Sequence, residues 1–154
     1  MRKFAISEIE EAAGTGYPAP HADAVATRLA RRFTGPAGLT QFGVNQVRLR
    51  PGAWSSQRHW HSHEDEFVMI LDGEATLITD EGETRVRAGD CIGFPAGEAN
   101  GHHLVNASDA DCVFLAIGTR SDADTCDYPD IDMKALAGRY IDPDCFRRKD
   151  GSRF

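Results

Sequence analysis

The sequence predicts an all-β, single-domain antiparallel sandwich or barrel. About seven or eight short apolar segments recur at roughly ten-residue intervals after Leu39. Most of them end in Gly, Asp or Asn turn signals. A hydrophobic content of 41% with 15 glycines and 7 prolines suits a turn-rich globule and argues against disorder or a fibre. A chain of 154 residues buries about two thirds of its unfolded surface in a single core, so folding needs no metal staple.

Residues 1–38 read as an N-terminal arm. Ser7 before Glu8-Ile9-Glu10-Glu11 can cap one helical turn that Gly14 and Gly16 end. Tyr17-Pro18-Ala19-Pro20 is extended, because proline restricts its own φ and the residue before it, and His21 follows as an isolated loop residue. Val25 to Phe33 fits a short helix and an extended arm equally well. Gly35-Pro36-Ala37-Gly38 is a turn.

Residues 39–120 carry the strands. Along Leu39–Arg50, Val47 and Leu49 alternate with Gln46, Arg48 and Arg50 before Pro51-Gly52 turns the chain. The segments from Phe67 and Glu74 follow, and Asp80-Glu81-Gly82-Glu83 is a tight hairpin turn. Thr84–Ala88, Cys91–Pro95, His102–Asn106 and the apolar Cys112–Gly118 complete the set. Residues 121–154 form an acidic, turn-rich C-terminal extension expected to pack on the barrel or on a partner subunit. Asp150-Gly151 can turn a small terminal hairpin there, which favours a homodimer.

Several function classes drop out. No apolar run approaches the roughly 18 residues of a membrane span. Glu8, Glu10 and Glu11 stand where a signal peptide needs its apolar segment, so the chain is expected to be soluble and cytoplasmic. A net charge of −7 disfavours nucleic acid, and Arg147-Arg148-Lys149 is too short a basic run to change that. Cys91, Cys112, Cys126 and Cys145 show no C-x-x-C spacing and are expected to be reduced and partly buried.

The chemistry concentrates in Trp54–Gly73. His59 and His61 form an H-x-H pair, and on an extended segment period-two alternation puts both imidazoles on one face. Glu66 precedes the apolar run Phe67–Leu71, where a carboxylate needs a partner that a metal ion would supply. A second cluster, His102-His103, comes about forty residues later.

At these residues the sequence resembles the cupin family. The first cupin motif reads glycine, a short gap, H-x-H, three or four residues, E, six residues, G. Here Gly52, His59, His61, Glu66 and Gly73 occupy those places, with six residues instead of five between Gly52 and His59. Of the second motif, Gly89 and Pro95-Ala96-Gly97 match, but Asn100 stands where the histidine belongs. His102 lies two residues later and Asn106 keeps its spacing from it, which fits a two-residue loop insertion. Parity puts His102, Leu104 and Asn106 on one face and His103 with Val105 on the other. His102 is therefore assigned as the fourth ligand and His103 as a neighbour. Pairing His61 with His63 instead would leave two residues before Glu66 and break the motif.

The resemblance covers about residues 39–118 and implies a jelly-roll β-barrel holding one divalent metal through His59, His61, Glu66 and His102. Imidazole and carboxylate suit zinc, iron, manganese, nickel or copper. It further implies a small-molecule ligand and one of two roles. The first is a metal-dependent enzyme acting on an oxygen-rich substrate, sugar-phosphate isomerase-like or dioxygenase-like. The second is a non-catalytic binding or sensing protein. Gln46, Arg48, Arg50 and Tyr140 are poor candidates to line the site, each reading better as ordinary strand or surface decoration. Cys91 is expected to be buried, and Trp60 to face away from the metal.

Overall fold

The computed structural model describes residues 1–142 and 144–154. Its strands are β1 (Ala12–Ala13), β2 (Leu29–Arg32), β3 (Phe42–Leu49), β4 (Trp60–His61), β5 (Glu66–Asp72), β6 (Glu74–Thr79), β7 (Gly82–Arg87), β8 (Cys91–Phe94), β9 (His103–Val105), β10 (Cys112–Thr119), β11 (Cys126–Tyr128), β12 (Met133–Ala135) and β13 (Phe146–Arg147). They form a six-stranded sheet ordered β1-β2-β3-β10-β5-β8, a three-stranded sheet β7-β6-β9 and a four-stranded sheet β13-β12-β11-β4. All these pairings are antiparallel. The fold is thus all-β, arranged among the described residues as three ladders and not as one continuous cylinder. Among the described residues, no helix is long and apolar enough to cross a membrane.

The apolar segment Cys112–Thr119 takes the interior of the large sheet. It pairs with β3 from Cys112↔Leu49 to Thr119↔Phe42 and with β5 along Phe114–Gly118. On one face of that sheet, Val47, Leu49, Val68, Ile70, Cys112 and Phe114 pack against Ala75, Val86 and Leu104 of the three-stranded sheet. Leu49 and Ile70 are completely buried. Burial of such side chains contributes ~1.5–3 kcal/mol each.

Parity decides the rest. Because Val47 turns inward, Gln46 and Arg48 are on the outer face. There Arg31 donates to Gln46 Oε1 at 3.1 Å, while Arg48 pairs with Glu11 at 3.1 Å and Asp111 at 3.3 Å. Gln46, Arg48 and Arg50 are thus strand and surface decoration and not part of the cavity lining, to which β3 contributes Asn45 and Val47. Cys91 is likewise exposed, since it pairs with Met69 on the outer side of β5, whereas Cys112, Cys126 and Cys145 are buried.

Gly73 joins β5 to β6 at φ +71°, and a Cβ there would run into the Asp111 carbonyl oxygen. Only glycine meets both demands. The ambiguous Val25–Phe33 segment becomes β2, preceded by a single 3-10 turn at Asp23–Val25. In the C-terminal sheet, Cys126, Tyr128, Met133 and Ala135 make a second small core with Tyr17, Ile131 and Phe146. The turn at Asp150-Gly151 is closed by Arg148 N–H donating to Ser152 O at 2.9 Å, and β13 pairs with β12 of the same chain. For function the pairing of β4 with β11, Cys126↔His61, matters most, because it brings residues 124–126 against a histidine of the H-x-H pair.

Candidate metal centre

Two backbone features bring the histidines together. His59 and His102 form an isolated antiparallel bridge, with His59 N–H donating to His102 O at 3.2 Å and His102 N–H to His59 O at 2.9 Å. Their rings lie 5.3 Å apart, and the His59 and His61 rings 4.9 Å apart. Glu66 opens β5 opposite Phe94 and Gly118, and its carboxylate points at the same place. His61 Nε2 is 4.0 Å and His102 Nε2 3.6 Å from Glu66 Oε2. One donor atom each of His59, His61 and Glu66 lies within 4.8 Å of the others. Donors bound at about 2.0–2.2 Å to a common ion stand roughly 3–4.4 Å apart, and the 4.0 and 3.6 Å separations of His61 and His102 from Glu66 Oε2 fall within that range.

The outer partners fix the tautomers. His59 Nδ1–H donates to Gln57 O at 2.8 Å and His102 Nδ1–H to Asn100 O at 3.2 Å. His61 Nδ1–H donates to Asp124 Oδ2 at 2.8 Å. Carbonyl and carboxylate oxygens only accept, so all three rings present Nε2 to the cluster. This is the carboxylate or carbonyl support that metal-ligating histidines usually carry. His102 Nε2 is buried with no hydrogen-bond partner among the described residues, while the His102 ring is stacked 3.6 Å from Phe94. A buried nitrogen left in that state costs about 1–3 kcal/mol, which a coordinated ion would offset.

Charge follows the same geometry. Burial works against the His61 imidazolium, but the Asp124 carboxylate, with Cys126 Sγ at 3.3 Å, holds its pKa up at about 10. Burial first, and then the neighbouring His61 charge, drive His59 down to about 3. Burial also opposes ionisation of Glu66, yet its closeness to His102 and the other imidazoles brings the carboxyl down to about 2. The cluster therefore offers one anionic oxygen, one neutral ring in His59 and one ring, His61, that must lose a proton before its Nε2 can bind a cation. Proton and cation compete for the same atom, so affinity for a divalent metal is expected to rise with pH about tenfold per unit until pH nears 10. Calorimetry at pH 7.5 in buffers of different ionisation enthalpy should show about one proton released per ion. No release would contradict a protonated His61.

The remaining histidines sit elsewhere. His103 is buried, donates Nδ1–H to Ser56 O at 3.0 Å and packs edge-on to Trp54 at 4.8 Å. His63 is exposed beside Ser62 Oγ, and His21 packs against Phe154. Trp60 lines a second cavity with Leu77 and Ile92, to which His61 and His102 also contribute.

A cavity of about 320 Å³ opens onto the cluster. Sequence reasoning missed Glu64 in its wall and Asp124 behind it. Asp124 is fully buried, and it accepts from His63 N–H at 2.9 Å besides His61. Glu64, only 3% exposed, accepts from Ser121 N–H at 2.8 Å, from the Tyr140 hydroxyl at 2.8 Å and from Arg139. Tyr140, a weak candidate from sequence, thus reaches the cavity from the tail. Burial raises its pKa to about 12, so the phenol stays protonated at neutral pH.

The architecture and this cavity define an antiparallel β-sheet protein with a histidine-carboxylate centre open to small molecules. Residues 45–118 match the family described as Cupin domain. A sugar phosphate isomerase from a cupin superfamily, from Silicibacter pomeroyi, is 44% identical, with 99% of this chain and 96% of that one covered and a TM-score of 0.89. A candidate sugar phosphate isomerase from Acidithiobacillus ferrooxidans is 29% identical over 76% of this chain and 75% of its own, with a TM-score of 0.71. The polyketide cyclase RemF from Streptomyces resistomycificus, 23% identical over 77% and 79% with a TM-score of 0.62, shares the fold. None of the curated protein sequences matches this chain. The chain belongs to the cupin superfamily.

Proposed function

We propose that this chain is a metal-dependent isomerase of sugar phosphates, in which His59, His61, Glu66 and His102 hold one divalent ion inside a jelly-roll barrel. The observation that carries the reading is the convergence of three Nε2 atoms, each set by an oxygen partner at Nδ1, on the Glu66 carboxylate at the wall of an open cavity. The 44% identity to a sugar phosphate isomerase supports the substrate class. When bound, a divalent ion supplies Lewis-acid polarisation of substrate oxygens.

The chain's own residues would do the rest. Asp124 orients His61, and Glu64, saturated by donors from Ser121, Tyr140 and Arg139, positions the Tyr140 phenol. The Tyr140 O–H is committed to Glu64 and its raised pKa keeps the phenol neutral, so toward the cavity its oxygen can accept a hydrogen bond from a substrate hydroxyl. The test is turnover. Metal-loaded protein should interconvert aldose and ketose forms of a pentose or hexose phosphate, lose the activity on chelation and regain it with one equivalent of metal. Tight ligand binding without turnover across a panel of such substrates would favour a non-catalytic binding protein and refute the isomerase.

A further inference from the structure

Three arginines line the cavity, Arg28, Arg120 and Arg139. Two of them are engaged. Arg139 pairs with Glu64 and Asp124, and Arg28 donates to Ser55 O at 2.5 Å and Gly14 O at 3.3 Å. The Arg120 guanidinium differs: among the described residues it donates no hydrogen bond and has no carboxylate within ion-pair reach. It lies 5.0 Å over the Tyr140 ring, whose other neighbour is Arg139 at 4.9 Å. The ring thus orients the guanidinium plane while using none of its N–H groups.

Its place in the sheet is set by register. Arg120 follows Gly118 by two residues, and so extends from the same face of the sheet. Gly118 pairs on one side with Gly43 and on the other with Glu66. Neither glycine puts a side chain into the cavity, so the floor beside Glu66 stays open. Arg120 Nε and Nη2 lie 3.8 and 3.9 Å from where a Gly43 Cβ would stand. Neighbouring strands are about 4.8 Å apart, which puts Gly43 roughly 10 Å from Glu66 across β10. That span suits an extended pentose or hexose phosphate, with its carbonyl end at the histidine cluster and its other end at Arg120.

We propose that Arg120 forms the anion subsite of this cavity, taking a phosphate monoester through its free Nε–Nη2 edge above the Gly43/Gly118 floor. A planar guanidinium edge matches two phosphate oxygens, so the residue selects phosphorylated over neutral sugars in a chain whose net charge of −7 otherwise repels anions. The proposal rests on the isomerase reading for the identity of the rest of the substrate, and on the geometry alone for the anion.

The experiment titrates inorganic phosphate into metal-loaded wild type, Arg120→Gln and Arg120→Lys, with metal content and melting temperature measured for each. Arg120→Gln should bind phosphate about 10- to 100-fold more weakly at unchanged metal content, and Arg120→Lys should fall between. With a sugar phosphate as substrate, Arg120→Gln should raise KM by a similar factor while kcat stays within a few-fold. Equal phosphate affinity in wild type and Arg120→Gln, including the case in which phosphate binds only at the metal, would overturn the subsite. Wild type that turns over no sugar phosphate yet binds phosphate through Arg120 would remove the isomerase reading and leave the subsite standing. Turnover with a KM indifferent to Arg120 would do the reverse.

Discussion

His102→Ala and His61→Ala are each expected to strip the metal from the purified protein, while His103→Ala keeps it. His102 and His103 are adjacent, identical in type and similarly buried, so burial cannot tell them apart. Their nitrogens can. His102 Nε2 is an unpartnered atom 3.6 Å from the Glu66 carboxylate, with its Nδ1–H held by Asn100 O and its ring clamped on Phe94. His103 turns the other way, toward Trp54, with Nδ1 tied to Ser56 O. Removing a ligand should weaken metal binding by more than the 10- to 100-fold typical of losing a supporting partner. The measurement is metal content after dialysis against a weak chelator, alongside melting temperature. Equal retention in all three variants would dispose of the four-residue centre.

Much of this arrangement was legible because it rests on local rules. The period-two spacing of His59 and His61 and the parity of His102 against His103 are properties of extended chain. So are the turn that Gly82 follows as the first residue of β7 and the punctuation at Gly73, which the structure places between β5 and β6. Residues whose role depends on tertiary contact were not legible. Asp124 lies in Ser121–Asp127, where three aspartates are interspersed with small residues and nothing marks which one is buried. Only the pairing of β11 with β4 selects it. Nothing in the sequence around Glu64 marks it for burial, which depends on Arg139 and Tyr140 arriving from about 75 residues away. The candidacy of Gln46 and Arg48 as lining residues stayed open for a different reason. Alternation names two faces without saying which is inward, and the burial of Val47 and Leu49 outweighed any preference for a polar lining.

Asp124→Asn carries the largest expected effect on stability and tests whether the C-terminal extension belongs to the site. The wild-type carboxylate is fully buried and neutralises the His61 imidazolium, with Arg139 3.5 Å away. An amide of the same shape keeps the packing and removes the charge. Breaking a buried pair from one side costs about 3–5 kcal/mol, because the remaining charge is left uncompensated. Part of that cost is relieved here, since His61 can discharge once its pKa falls from about 10. A loss of about 2–3 kcal/mol remains, or a drop in melting temperature of roughly 4–12 °C for a chain of this size. The discharge has its own signature. With His61 already neutral, metal binding at pH 7.5 should release far less than the one proton expected of the wild type, and affinity should lose its steep rise toward pH 10. Affinity should still fall about 10- to 100-fold, because the His61 ring loses the partner that aims Nε2 at Glu66. A variant that melts lower but binds metal with wild-type affinity and proton release would make Asp124 a packing residue of the C-terminal sheet with no part in the centre.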